Sequence, residues 1–174
     1  MKPRLWVPLV LLVAAAAGWQ LGAGSRDREA SANSDQVVRV VDGDTVALRS
    51  AGKSRLIGVD TPEVFGSQEC FGREASAFAR RLLRPGLRVR VEPDVEQRDR
   101  YGRALVYLRL PDGRSFNELL VAEGFAVPLT IPPNVRHAGR FRELARRARE
   151  RSVGLWSAGS CGGDADRPAG WGAR

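Results

Sequence analysis

Val37-Val38-Arg39-Val40-Val41, Asp42-Gly43-Asp44, Thr45-Val46-Ala47-Leu48-Arg49 and, after Ser50-Ala51-Gly52-Lys53, Ser54-Arg55-Leu56-Ile57-Gly58-Val59 decide the fold of this chain. The apolar runs are short and rich in β-branched residues, and the segments between them are good turn sequences. The stretch therefore predicts three antiparallel strands in a meander, over 37–41, 45–49 and 54–59. A second acidic turn, Asp60-Thr61-Pro62-Glu63, follows the third strand. If the strands are neighbours in one sheet, Asp44, Asp60 and Glu63 converge at one end of it, with Arg55 close by.

Outward from there, Glu74 to Leu83 carries Ala75, Phe78, Ala79, Leu82 and Leu83 at helical spacing and is closed by Pro85-Gly86. Leu87 to Glu92 alternates strictly, as a strand with its arginines turned from the core, and Ala104 to Leu110 is a further strand. Ser115 and Glu118 form a capping box for a helix through Glu123, stopped by Gly124. A last helix over about 139–151 turns Phe141, Leu144, Ala145 and Ala148 inward and arginines outward. Five strands and three helices, with the first helix between strands three and four, predict an α+β chain built on a five-stranded OB-fold barrel.

At 174 residues the chain accommodates one domain with end segments. Apolar residues at 43 % exclude wholesale disorder. The divisions expected are 1–24, 25–36 as a polar linker, 37–157 as the folded domain, and 158–174 as a disordered Gly/Ala-rich tail. Residues 1–24, with Lys2 and Arg4 ahead of an uncharged run and the next charge at Arg26, have the form of an export signal cleaved near Ala17 or Ala23. The same run approaches the ~20 residues of a membrane span, so an uncleaved N-terminal anchor is the alternative, and only then would a membrane be a partner. Export makes Cys70 and Cys161 a candidate disulfide, whereas two cysteines and one histidine exclude a structural zinc site. His137 is read as a surface residue.

The net charge of +8 comes from 28 Lys and Arg, all but two of them Arg, against 20 Asp and Glu. Arginine's planar fork suits phosphate, so a polyanion is one partner consistent with this balance; a solvated surface and an arginine-rich codon preference are the other reading. Clustered carboxylates beside a guanidinium point further, to a metal and a phosphate. A phosphodiester repels nucleophiles, so its hydrolysis needs positive charge around phosphorus and a group that activates water. Each acidic turn taken singly is an ordinary hairpin or loop entry.

Val41-Asp42-Gly43-Asp44-Thr45, Arg55 through Glu63, Tyr101-Gly102-Arg103 and Gly154-Leu155-Trp156-Ser157 resemble, in order and spacing, the motifs of the thermonuclease (staphylococcal nuclease-like) family. The resemblance spans about residues 37–157. It implies a calcium-dependent endonuclease acting on DNA and RNA with little sequence preference and leaving 3′-phosphate ends. It also implies one calcium ion on Asp44, Asp60 and the carbonyl of Thr61, with Glu63 polarising the attacking water. Arg55 and Arg103 would bind the scissile phosphate, and Arg100 and Tyr101 would add substrate contacts. With the N-terminal reading, the enzyme is expected to be a monomer without a protein partner, secreted, periplasmic or on the cell surface. Leu129 and Ile131 stand where the best-known members carry tyrosines, and the loop 64–72 is short and lacks their lysines. Two other readings stay open. One is a non-catalytic OB-fold module that binds nucleic acid, although clustered carboxylates would repel phosphate. The other is a membrane-anchored domain whose arginine-rich last helix meets lipid head groups.

Overall fold

The computed structural model describes residues 33–66, 69–162 and 164. The expected signal or anchor, most of the linker and the end of the expected tail lie outside them. Among the described residues no helix is long and apolar enough to cross a membrane.

Strands β1 (Ser34–Val40), β2 (Thr45–Leu48), β3 (Gly52–Leu56), β5 (Arg88–Glu92) and β6 (Ala104–Arg109) close into a barrel in the order β1-β2-β3-β6-β5. Strand β4 (Val59–Asp60) pairs outside the barrel with β7 (Val127–Pro128). Helices α1 (Gly72–Leu82), α2 (Phe116–Ala122) and α3 (Ala138–Glu150) are followed by a 3-10 turn, Gly154–Trp156. This is the expected OB-type barrel with three helices.

The barrel is mixed. The meander β1-β2-β3 is antiparallel, as is β5-β6, but β3 runs parallel to β6, with Arg55 opposite Leu105. Val37 N–H to Leu87 O at 2.9 Å and Gly86 N–H to Val37 O at 2.8 Å tie β1 to the start of β5. Inward positions of alternate strands, among them Val46, Leu48, Leu56, Val89, Val106 and Leu108, fill the interior. Phe116, Leu120, Phe141 and Leu144 cover it from the helices. Each such side chain contributes about 1.5–3 kcal/mol by leaving water. Ser115 caps α2 by accepting Glu118 N–H on its hydroxyl.

Three strand boundaries and one burial differ from the sequence reading. Strand β1 starts at Ser34, inside the expected linker, because the buried Asp35 carboxylate accepts the N–H groups of Ser50 and Ala51 and so ties the strand to the β2–β3 turn. The turn is centred on residues 49–51, so β3 begins at Gly52 and not at Ser54. It ends at Leu56 and not at Val59, since Ile57-Gly58 turns the chain. What reads as its last part is β4, which leaves the barrel to meet β7. His137 is not a free surface residue: its ring is half-buried and stands edge-on to Tyr107 at 4.6 Å.

Asn117 locks the Ile57 turn in place. Wholly buried in α2, its amide donates to Ile57 O at 3.0 Å and its carbonyl accepts Leu108 N–H at 2.9 Å. A buried amide satisfied this way costs little and fixes geometry. The second acidic turn hangs from that point.

Candidate active site

The β2–β3 hairpin sets the first contact. Thr45 is registered opposite Arg55, and Leu56 N–H donates to Asp44 O at 2.9 Å, so Asp44 lies across the hairpin from Arg55. The Ile57-Gly58 turn then brings Asp60 back onto the same arginine. The Arg55 guanidinium makes ion pairs of 2.8 Å with Asp44 and 2.6 Å with Asp60, and donates to Val59 O at 2.9 Å. Its side chain keeps only 14 % of its exposure.

Asp44 also joins the two acidic turns. Its Oδ2 accepts both the backbone N–H of Thr61, at 2.9 Å, and its hydroxyl, at 3.0 Å. Gly43 allows this approach: a Cβ there would lie 2.6 Å from Thr61 Oγ1, closer than carbon and oxygen can pack. The Asp42 carboxylate accepts Asp44 N–H at 3.1 Å, the bond of an Asx turn. Burial, the largest influence, pushes the Asp44 carboxyl up to about 6, with Asp42 and Asp60 adding to the rise while Arg55 and the Thr61 N–H oppose it. Burial, followed by the charges of Asp42, Glu69 and Asp60, likewise raises Glu63 against the influence of Arg55. Asp42, Asp44, Asp60 and Glu63 therefore form one electrostatic cluster. Glu63 is exposed at its edge.

That cluster carries more negative charge than Arg55 balances. Among the described residues no three Asp, Glu, His or Cys side chains are grouped so as to enclose a metal. Two carboxylates and the Thr61 carbonyl are instead an open set of hard oxygen donors, which suits a divalent cation that keeps water or phosphate oxygens as its remaining ligands. A cation there would offset the charges of Asp42 and Asp60, which add to the rise that burial imposes on Asp44.

Arg103 comes from 48 residues further along the chain than Arg55. The parallel pairing of β3 with β6 sets Ala104 opposite Ser54, and so delivers the turn before β6 to the Arg55 side of the barrel. Within the turn, Asp99 Oδ1 accepts the N–H groups of Tyr101 and Arg103, both at 2.9 Å, and its Oδ2 pairs with Arg103 Nε at 2.6 Å. Burial works to raise Asp99, but these donors outweigh it and hold the carboxyl below its ordinary value. The guanidinium groups of Arg100 and Arg103 lie 4.9 and 5.5 Å from the centre of the exposed Tyr101 ring.

A cleft of about 500 Å³ joins these parts and is lined by Arg55, Arg100, Tyr101 and Arg103 together with the exposed Leu129 and Ile131. Asp44, Asp60, Thr61 and Glu63 do not line it; they adjoin it through Arg55. The site is thus a metal-suited acidic corner and an arginine-rich cleft that share one side chain. Such a pairing can stabilise a phosphate on the arginines and, with a cation on the carboxylates, place a water beside it.

A model of the family described as staphylococcal nuclease homologue matches residues 53–158. The chain belongs to that family. It is 38 % identical over 128 residues to a thermonuclease of Staphylococcus hyicus, covering 70 % of this chain and 75 % of that protein. It is 37 % identical over 126 residues to a thermonuclease of Staphylococcus intermedius, covering 69 % and 74 %. Endonuclease YncB of Bacillus subtilis is 35 % identical over 127 residues, covering 68 % of this chain and 59 % of that one. A staphylococcal nuclease homologue with thermonuclease relatives is a hydrolytic nuclease, and nucleic acid is its substrate.

Three supporting residues escaped the sequence reading. Asp99 and Glu69 look like ordinary loop charges, and Asn134, which exchanges hydrogen bonds of 2.8 Å with the backbone N–H and carbonyl of Glu96, looks like a turn residue. The Asp-Arg-Tyr-Gly turn was the only signal for Asp99. The basic last helix is also less available than its composition suggests. Arg140 pairs with Glu118, Arg146 with Glu150 and Arg147 with Glu143, while Arg149 lies over Trp156 and Arg151 donates to Ala122 O.

Proposed function

We propose that this chain is an exported, calcium-dependent endonuclease that hydrolyses DNA and RNA with little sequence preference and leaves 3′-phosphate ends. The observation that carries the reading is Arg55, which bridges Asp44 and Asp60 while lining the cleft that holds Arg103.

Arg55 and Arg103 act as donors to the non-bridging oxygens of the scissile phosphate, with most effect as charge builds on a five-coordinate phosphorus. Glu63, at the exposed edge of the acidic cluster, orients and deprotonates the attacking water. Burial and the neighbouring carboxylates raise its pKa above the ordinary value, which makes it a stronger base. Tyr101 and Arg100 contact the neighbouring phosphate. Asp44, Asp60 and the Thr61 carbonyl hold the ion. When bound, calcium supplies positive charge beside the phosphate and fixes oxygen ligands around it. Arg55 spans both halves, so it holds the metal-binding carboxylates apart as well as meeting substrate. The apolar Leu129 and Ile131 offer no aromatic ring for base stacking, which weakens substrate binding more than it weakens the chemistry.

Export of a single-chain monomer, by a signal within residues 1–24, is supported by the oxidised cysteine pair, since thiols are kept reduced in the cytosol. The test is cleavage of DNA and RNA by the protein in calcium and in chelator, with end-group analysis of the products. Cleavage abolished by chelation and 3′-phosphate ends are expected. Binding of DNA without any cleavage in calcium would instead identify a non-catalytic module.

A further inference from the structure

Glu63 leaves the barrel on a loop, and its backbone is held by one residue. Glu69 accepts the Glu63 N–H on its carboxylate at 2.8 Å and returns its own N–H to Glu63 O at 3.0 Å, which closes a ring of two hydrogen bonds. Glu69 O in turn accepts the N–H of Gly72, the first residue of α1, at 3.2 Å. The fit is close: a Cβ on Gly72 would lie 2.6 Å from Glu63 O.

The next residue anchors this ring to the opposite end of the chain. Cys70 is disulfide-bonded to Cys161, which is fully buried. The Ser160 hydroxyl bonds to the carbonyls of Gly154 and Leu155 at 2.9 and 3.0 Å, and Leu155 N–H donates to Gly124 O at 2.9 Å, at the end of α2. Phe71 stacks on Phe125 with ring centres 5.4 Å apart. The brace therefore runs from Glu63 through Glu69 and the cross-link to the helices that cover the barrel.

We propose that Glu69, anchored by the Cys70–Cys161 cross-link, is a positioning residue that fixes Glu63 for activating the water that attacks the phosphate. The proposal rests on the assignment of Glu63 to water activation. Small displacements of a catalytic group are costly in rate, whereas substrate affinity, carried by the arginine cleft, is untouched.

The test is steady-state kinetics on DNA in calcium for Glu69→Ala, Glu69→Gln, Cys70→Ser/Cys161→Ser and Glu63→Gln, with amide hydrogen exchange at Glu63. In Glu69→Ala, kcat should fall about tenfold at unchanged KM, with faster exchange of the Glu63 amide. Glu69→Gln keeps an acceptor for that N–H and should retain most of kcat. The cysteine variant should exchange faster at Glu63 and lose kcat in the same sense, as should the wild type under reductant. Placed in a Glu63→Gln background, Glu69→Ala should cost nothing further in kcat. If Glu63→Gln is inactive yet Glu69→Ala keeps full kcat, or loses only KM, positioning by Glu69 is wrong and the catalytic reading stands. If Glu63→Gln keeps full kcat, both fall.

Discussion

Two arginines meet in one cleft, and they are held in opposite ways. Arg55 sits on a barrel strand, 14 % exposed, and its partners Asp44 and Asp60 are themselves members of the site. Arg103 sits in a turn, 27 % exposed, and its partner Asp99 belongs to the same turn and takes no part in the acidic cluster. In the first case structure and chemistry draw on the same contacts; in the second they are separate. The two should therefore respond differently to mutation.

The largest effect is expected from Arg55→Ala. It leaves Asp44 buried without its cation, so the fold should lose about 3 kcal/mol near pH 7, and cleavage should be abolished. Urea unfolding and a cleavage assay measure the two losses together. Arg103→Ala should cost no more than about 1 kcal/mol, since its pair is partly solvated.

Acidity sharpens the same contrast. The folded-state pKa of Asp44 is raised from 3.8 to about 6, so folding favours its protonated form. That contribution is full below pH 4 and is lost as pH rises through about 6. In chelator, Asp44→Asn should therefore gain in Tm relative to the wild type by several degrees between pH 4 and pH 7. Calcium should raise the wild-type Tm over the same window and leave that of the variant unchanged. Asp99 has the opposite sign: it is held below its ordinary pKa, so its stabilisation is present at neutral pH and is lost as pH falls through that lowered value. The smallest effect is expected from Asp99→Asn. It keeps one acceptor oxygen for the two N–H groups of the turn but removes the carboxylate charge that pairs with Arg103, and kcat should fall severalfold with little change in Tm.

The same division marks what the amino-acid order makes legible. Alternation and turn residues lead to the meander and to β5 and β6, and Ser115 with Glu118 leads to the start of α2. Asp44, Arg55 and Asp60 lie within 17 residues of one another on that meander, so their convergence follows from strand pairing. Two-residue strands such as β4 and β7 have no periodicity, and their pairing depends on Asn117 holding the turn before β4. The parallel contact of β3 with β6 likewise has no local signature, although it delivers Arg103. His137 against Tyr107 and Glu69 against Glu63 are tertiary contacts of residues whose own neighbourhoods read as loop.

The proposed role of Arg103, serving the phosphate and not the fold, is tested most directly by cleavage of DNA in saturating calcium by wild type and Arg103→Ala. The predicted result is a loss of about 10²- to 10³-fold in kcat at a temperature where both proteins are fully folded. An Arg103→Ala protein that cleaves at the wild-type rate would contradict it.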